Sequence, residues 1–306
     1  MRRPIRLRAD STAEGSDPLD VVRLTPLMER TRGRPQVTVA LIDGPIVIGH
    51  SDLPGERIAE IPSRLRGTCA RANSAACMHG TFVAGILSAK TGSAAPGICP
   101  DCTLLVRPIF RETATGNANL PSATLEELAA AIIDAIEGGA RLINLSAALT
   151  QASPTGERAL EAALDHALRC GVITVAAAGN QGTVGGSAIA RHRWVIPVVA
   201  CDRQGRPMRQ SNLGNSIGRR GLSAPGDGIT SLGTGDRPLS LVGTSAAAPF
   251  VTGAIALLWS EFPAASPSQV KLAVTQASVS RRTAVVPPVL DAWAAYEVMT
   301  AAQARG

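Results

Sequence analysis

The sequence predicts an α/β fold of three layers, a mostly parallel central sheet with helices on both faces. Two observations predict it. Apolar runs of strand length alternate with segments of helical period along most of the chain, as they do where parallel strands are joined through helices. The strand-length runs are also continuously apolar, which is the pattern of strands covered on both sides.

Taken in order, Met1 to Pro35 is polar, rich in arginine and without clear period, so residues 1–35 are read as an N-terminal extension that packs on the outside and residues 36–306 as one folded domain. Val37-Thr38-Val39-Ala40-Leu41-Ile42 is the first strand, and Gly80 to Ala89 is a helix. Thr103 to Ile109 is strand again. Leu125, Leu128, Ala129, Ile132, Ile133 and Ile136 recur at helical spacing until Gly138-Gly139 stops the helix. Arg141 to Leu145 returns to strand, and Leu160, Ala163, Leu164, Ala167 and Leu168 mark an amphipathic helix ending near Gly171. Val172 to Ala178 and Trp194 to Ala200 are buried strands, and the apolar run Phe250 to Trp259 is a buried helix.

Composition narrows the function. With 306 residues, 45% of them hydrophobic and only 3% aromatic, the chain can bury one large core built from Ala, Val, Ile and Leu. The net charge of +6 comes from basic residues that are all arginine except Lys90 and Lys271. They are scattered, with short clusters at Arg2-Arg3, Arg219-Arg220 and Arg281-Arg282 and no interleaved aromatics, which argues against a nucleic-acid partner. No stretch reaches the roughly 18 apolar residues of a membrane span. The basic Met1 to Asp10 is not followed by the run of about 7 to 15 apolar residues of a secretory signal, so the expected location is the cytoplasm.

Six cysteines fall as Cys69 with Cys77, Cys99 with Cys102, and Cys170 and Cys201 apart. Cys99-Pro100-Asp101-Cys102 precedes a strand, where a redox CxxC motif would follow one, and the two pairs lack zinc-ribbon spacing. The cysteines are therefore read as local loop clips or plain thiols, with no metal and no cofactor expected.

Ligands of open parallel sheets bind outside the carboxyl ends of the strands, so the residues following each run matter most. Asp43 ends an apolar strand, where a lone carboxylate is costly unless paired. His79 is placed at a helix start, where the dipole favours the neutral imidazole that a general base must be; it reads equally as a capping or packing residue. Its rivals are His50 in a loop, His166 within a helix and His192 between two arginines. Ser245, in Gly243-Thr244-Ser245-Ala246-Ala247-Ala248-Pro249, reads as a helix cap or as a nucleophile with room for a substrate backbone. Asn180, after Ala177-Ala178-Gly179, reads as a turn residue or as a donor to an oxyanion.

Asp, His and Ser in that chain order, on an alternating parallel sheet, resemble the triad of the subtilisin-like serine peptidases, the subtilases. Val39 to Asp43 is similar to their Asp motif, His79-Gly80-Thr81-Phe82-Val83-Ala84-Gly85 to their His motif, and Gly243 to Pro249 to their Ser motif. Lesser matches are Ile143 to Ser146, Ala177 to Asn180, Ser211 to Gly214 and Ser223 to Gly226, and the likeness covers roughly residues 36–295. The resemblance implies a subtilisin-like fold and a serine endopeptidase. Asp43 would orient His79, His79 would take the proton of Ser245, and Asn180 with the Ser245 N–H would hold the oxyanion. Leu145, Ser146, Ala147 and Ala148 would border the substrate on one side, and Ala177, Ala178 and Gly179 on the other.

Gly44-Pro45 after the aspartate, Phe82 and Ala246 depart from the common family pattern without removing a catalytic group. The Asp-Gly-Pro form, the cysteine before the His motif and Gly97 to Cys102 look like the subtilases that mature cyanobactin-type ribosomal peptides. The expected substrate is accordingly a modified precursor peptide that loses its leader, with the oligomeric state open. The alternatives are a catalytically silent scaffold that binds peptides, a general intracellular degradative subtilase, and a macrocyclase. The last usually carries an insertion around the His region, for which the 36 residues from Asp43 to His79 leave little room.

Overall fold

The computed structural model describes residues 17–112, 123–146, 154–235, 237–277 and 284–304. Seven strands form a wholly parallel sheet in the order β2-β3-β1-β4-β5-β6-β7: β1 (Thr38–Asp43), β2 (Ile58–Glu60), β3 (Thr103–Pro108), β4 (Leu142–Leu145), β5 (Ile173–Ala177), β6 (Val195–Cys201) and β7 (Leu222–Pro225). A small antiparallel pair, β8 (Ile229–Ser231) with β9 (Leu239–Leu241), lies outside it. The helices in chain order are α1 (Pro18–Val21), α2 (Thr25–Arg30), α3 (Ala75–Ser88), α4 (Leu125–Glu137), α5 (Pro154–Cys170), α6 (Ala188–Arg191), α7 (Asn215–Arg220), α8 (Thr244–Glu261), α9 (Pro267–Gln276) and α10 (Ala292–Gln303).

Every residue of β4 and β6 is buried, because α3 and α8 cover one face of the sheet and α4 to α7 the other. That is the three-layer α/β fold expected from the apolar runs. α4 shows how the sequence sets an element. Thr124 accepts the Glu127 N–H at 3.1 Å and the Glu127 carboxylate accepts the Thr124 N–H at 2.9 Å, a capping box ahead of Leu125, Leu128, Ala129 and Ile132 on the buried stripe. Gly139, at φ 81°, ends it in the left-handed region that glycine tolerates. α8 is buried all round, as an apolar helix through the core must be.

The chain before Pro35 contributes to this core. Leu24 and Leu27, beside and within α2, have no exposed surface, and Arg23 forms an ion pair of 3.0 Å with Asp291 at the start of α10. Helices of four and six residues are too short to show a period in the sequence.

The topology positions the site. From β1 the chain builds β2 and β3 on one side, then crosses to β4 on the other, so the strand order reverses between β1 and β4, and a crevice opens there at the carboxyl ends. Ile42 pairs with Leu145 and Leu145 with Ala176, which brings the next residues, Asp43, Ser146 and Ala177, to one level along that edge.

Candidate active site

Asp43 is the last residue of β1 and fully buried, and His79 lies on α3 above it. His79 Nδ1 donates to Asp43 Oδ1 at 2.7 Å, and the Gly44 N–H donates to the same oxygen at 2.6 Å. An ionised carboxylate can only accept, so Nδ1 carries the proton and Nε2 is the basic nitrogen. Two glycines let strand end and helix approach this closely. A Cβ on Gly44 would run into the Ala76 carbonyl, and one on Gly80 into the carbonyls of Pro45 and Gly44. The Asp-Gly-Pro form of the strand end thereby has a packing reason.

α3 begins at Ala75, capped by Ser74, which accepts the Cys77 N–H at 3.2 Å. His79 is therefore the fifth helical residue and not at the helix mouth expected from the sequence, and a helix dipole acts mainly within the first turn. Burial lowers the pKa of His79, but the charge of Asp43 and its hydrogen bond outweigh it, and the net direction is upward.

Ser245 is the second residue of α8 and is half-buried. Its carbonyl accepts from Ser146 Oγ at 3.3 Å, which ties the helix start to the end of β4. Gly243 precedes it at φ 134°, where a side chain would be strained and a Cβ would crowd the Asn180 amide. His79 Nε2 has no hydrogen-bond partner among the described residues, Ser245 included. Bonds between nucleophile and base are often long before substrate arrives.

Asn180 stands exposed after β5 with its amide orientation set by Thr244. Its Oδ1 accepts from the Thr244 N–H at 2.9 Å and the Thr244 hydroxyl at 3.1 Å, which turns Nδ2 into the group it presents. The Thr244 hydroxyl in turn accepts the Gly179 N–H at 3.2 Å. Sequence reading took Thr244 as part of a motif and missed this role; its place beside Ser245 was the available signal. The lesser motifs find uses as well. Asn212 Oδ1 accepts from the N–H groups of Gln181 and Thr183, bracing the Asn180 loop, and Gly226 C=O accepts the Gly243 N–H at 2.8 Å.

Of the residues expected to border a substrate, Leu145 and Ala178 are buried while Ala177 and Gly179 are partly exposed. The Ser146 hydroxyl is engaged with Asn144 and Ser245. Ala147 and Ala148 lie outside the described residues. The other histidines are occupied away from Asp43: His50 Nδ1 accepts the Asp52 N–H, His166 neighbours Cys170, and His192 Nε2 lies 3.2 Å from Asp165.

Cys69 and Cys77 form a disulfide immediately before His79, and Glu112 holds the enclosed loop, accepting from the N–H groups of Ala70 and Arg71 at 2.9 and 2.7 Å. Cys99 and Cys102 are buried thiols whose mutual hydrogen bond raises the pKa of Cys99. Among the described residues the one cluster of ligand type, Cys69, Cys77 and Glu112, has both sulfurs in that disulfide and no thiolate to offer a metal. A cavity of about 670 Å³ lined by Phe262, Leu272, Val298 and Met299 contains none of the candidate residues. No helix among the described residues is long and apolar enough to cross a membrane.

A family model described as the subtilase family, peptidase S8, matches residues 34–292. The thermostable alkaline protease of Halalkalibacterium halodurans is 34% identical over 199 residues, which take in 65% of this chain and 51% of that protein, so the chain spans about half of this relative. The structure of the prenylagaramide maturation protease PagA superposes with a TM-score of 0.77 at 29% identity, covering 90% of this chain and 98% of that one. The PatG macrocyclase domain superposes with a TM-score of 0.80 over 95% of this chain and 100% of that one; at 22% identity this is a likeness of fold alone.

Proposed function

The chain belongs to the subtilase family, and on that footing we propose that it is a serine endopeptidase that cleaves the leader from a ribosomally made, modified precursor peptide. The observation that carries peptide hydrolysis is the 2.7 Å hydrogen bond from His79 Nδ1 to the buried Asp43, which leaves Nε2 as the base. In this reading Nε2 takes the proton of Ser245 Oγ as that oxygen attacks the scissile carbonyl. The resulting oxyanion accepts from Asn180 Nδ2 and the Ser245 N–H, His79 protonates the leaving amine, and an acyl-enzyme forms. Water, deprotonated by the same nitrogen, attacks the acyl group and frees Ser245. Asp43 stays ionised and fixes the tautomer. In this reading Leu145 and Ser146 border the substrate on one side and residues 177–179 on the other.

Maturation is favoured over general degradation by the structural likeness to PagA, a maturation protease, which spans 90% of this chain and 98% of that one at 29% identity. The peptidase unit is residues 36–306, with 1–35 an extension whose α1 and α2 pack onto it. Action in the cytoplasm, on a peptide and with no nucleic-acid or membrane partner, belongs to the same reading. Disulfides are rare in reducing compartments, so activity must survive reduction of the Cys69–Cys77 bridge.

A fluorophosphonate probe is expected to label the protein and to leave Ser245→Ala unlabelled; equal labelling refutes the triad. With a leader-bearing precursor peptide, cleavage at one junction should far outpace digestion of casein, and comparable rates would leave a degradative subtilase. The unpartnered Nε2 is the observation that favours a silent peptide-binding scaffold, and turnover of any peptide removes that reading. Mass spectrometry separates hydrolysis from macrocyclisation, whose product is lighter by one water.

A further inference from the structure

Pro249 lies inside the buried helix α8. In α8 the carbonyl of Ser245 would accept from the residue four positions on, which is Pro249, and proline has no N–H to give. A carbonyl partly withdrawn from water and left without a donor is costly, so this one, on the half-buried Ser245, is stabilised by a partner from elsewhere.

Ser146, one residue beyond β4, supplies it through Oγ at 3.3 Å. The same Oγ accepts from Asn144 Nδ2 at 2.9 Å, and Asn144 Oδ1 accepts from the Thr252 hydroxyl at 2.8 Å. Thr252 lies two turns along α8 from Ser245, on the same helix face. The chain of hydrogen bonds therefore leaves the helix at Thr252, passes through β4 and returns at the carbonyl of Ser245. All three side chains are buried. The Ser245 carbonyl can only accept, so Ser146 donates to it, Asn144 Nδ2 donates to Ser146, and Asn144 Oδ1 accepts from Thr252, whose hydroxyl also lies 3.2 Å from the Ala248 carbonyl.

We propose that Thr252, Asn144 and Ser146 are positioning residues that fix the peptide unit of Ser245 relative to β4. The proposal rests on the reading of Ser245 as the nucleophile. The Ser245 carbonyl belongs to the residue whose Oγ attacks and whose N–H faces the oxyanion, so holding it sets both. β4 runs on into the segment that borders the substrate, and nucleophile and substrate border thereby share one hydrogen-bonded frame. None of the three side chains touches the reacting atoms. They act through where Ser245 stands.

The test compares Ser146→Ala, Thr252→Val and Thr252→Ser with the parent protein, reading kcat and KM on one peptide, the rate of fluorophosphonate labelling, and Tm. Ser146→Ala and Thr252→Val should each lower kcat and the labelling rate about tenfold, part of the ~10²-fold that a misplacement of 1 Å can cost, with KM nearly unchanged. Thr252→Ser, which keeps the hydroxyl, should restore both rates. The Ser146→Ala/Thr252→Val double variant should be no slower than either single one, because both break the same chain. If the variants lose only Tm while kcat and labelling stay within about twofold of the parent, the residues are structural and the proposal is overturned. Failure of Thr252→Ser to restore the rates overturns it as well, and the Thr252 pair decides should Ser146→Ala not fold. Labelling of Ser245→Ala at the parent's rate is a different failure: it removes the nucleophile, and this proposal with it.

Discussion

Asp43 and His79 meet at 2.7 Å across the gap between β1 and α3, and a Cβ on Gly44 or on Gly80 would run into backbone carbonyls that line that gap. Electrostatics and packing at this point serve one contact.

The first prediction is a pH profile. Burial alone would depress the pKa of His79, and Asp43 raises it past the ordinary value of about 6.5. In the proposed mechanism the neutral imidazole is the base, so a raised pKa displaces the acid limb of kcat/KM toward higher pH. Asp43→Asn removes both raising effects and leaves burial, so the limb should move below the ordinary value while kcat falls about 10⁴-fold. Rates measured from pH 5 to 9 on both proteins, taken as roughly the span over which histidine changes charge, check the direction. A parent limb at or below the free-histidine value would contradict it.

A second prediction separates two uses of Asn180. Asn180→Ala loses both the Oδ1 that holds Thr244 and the amino group, whereas Asn180→Asp keeps acceptors for Thr244 and loses only the donor. Both should cut kcat by about 10²- to 10³-fold, the range for loss of one oxyanion donor. Only Asn180→Ala should also lower Tm. An Asn180→Asp enzyme with parental kcat would remove Asn180 from the oxyanion site.

Overpacking gives a third. Gly44→Ala and Gly80→Ala each place a methyl group against a backbone carbonyl that cannot swing away, at a cost of about 1–3 kcal/mol. Denaturant midpoints should fall in both, and kcat should fall further than the loss of folded protein explains, because Asp43 and His79 are separated. Substitution without effect on either would mean that the approach of β1 to α3 is not tight.

The disulfide supports a fourth. Cys69 and Cys77 enclose a loop with a sequence separation of 8, for which chain entropy predicts about 2–3 kcal/mol of stabilisation. Cys69→Ser/Cys77→Ser should lower Tm and expose residues 69–77 to limited proteolysis. Glu112 still holds the N–H groups of Ala70 and Arg71, so peptidase activity should persist. Loss of all turnover on removing the bridge would show that the bridge itself sets the position of His79.

Much of this was legible in the chain. Val37 to Ile42 and Trp194 to Ala200 could be read because strands buried on both faces are predominantly apolar, and that demand is local. α3 starts at Ala75, five residues before the Gly80 that the sequence predicts. Ala75 to Met78 carries no strong period, and its cap, Ser74, is itself bonded to Glu112, 38 residues away in sequence. α1 and α2 carry no pattern of their own: α1 packs on β7 and α2 on α8 and α10, contacts that only folding makes.

The sequence by itself determined the layered α/β class, the strand ends at which polar groups collect, and the order Asp43, His79, Ser245, since each depends on a residue and its near neighbours. Tertiary structure alone decided how these groups are held. Whether Asn180 presents oxygen or nitrogen depends on Thr244, 64 residues on, and the carbonyl that Pro249 leaves open is closed by Ser146, 99 residues back. Hydrogen-bond geometry is a matter of distance and angle between groups that only folding brings together, and a spacing along the chain carries neither.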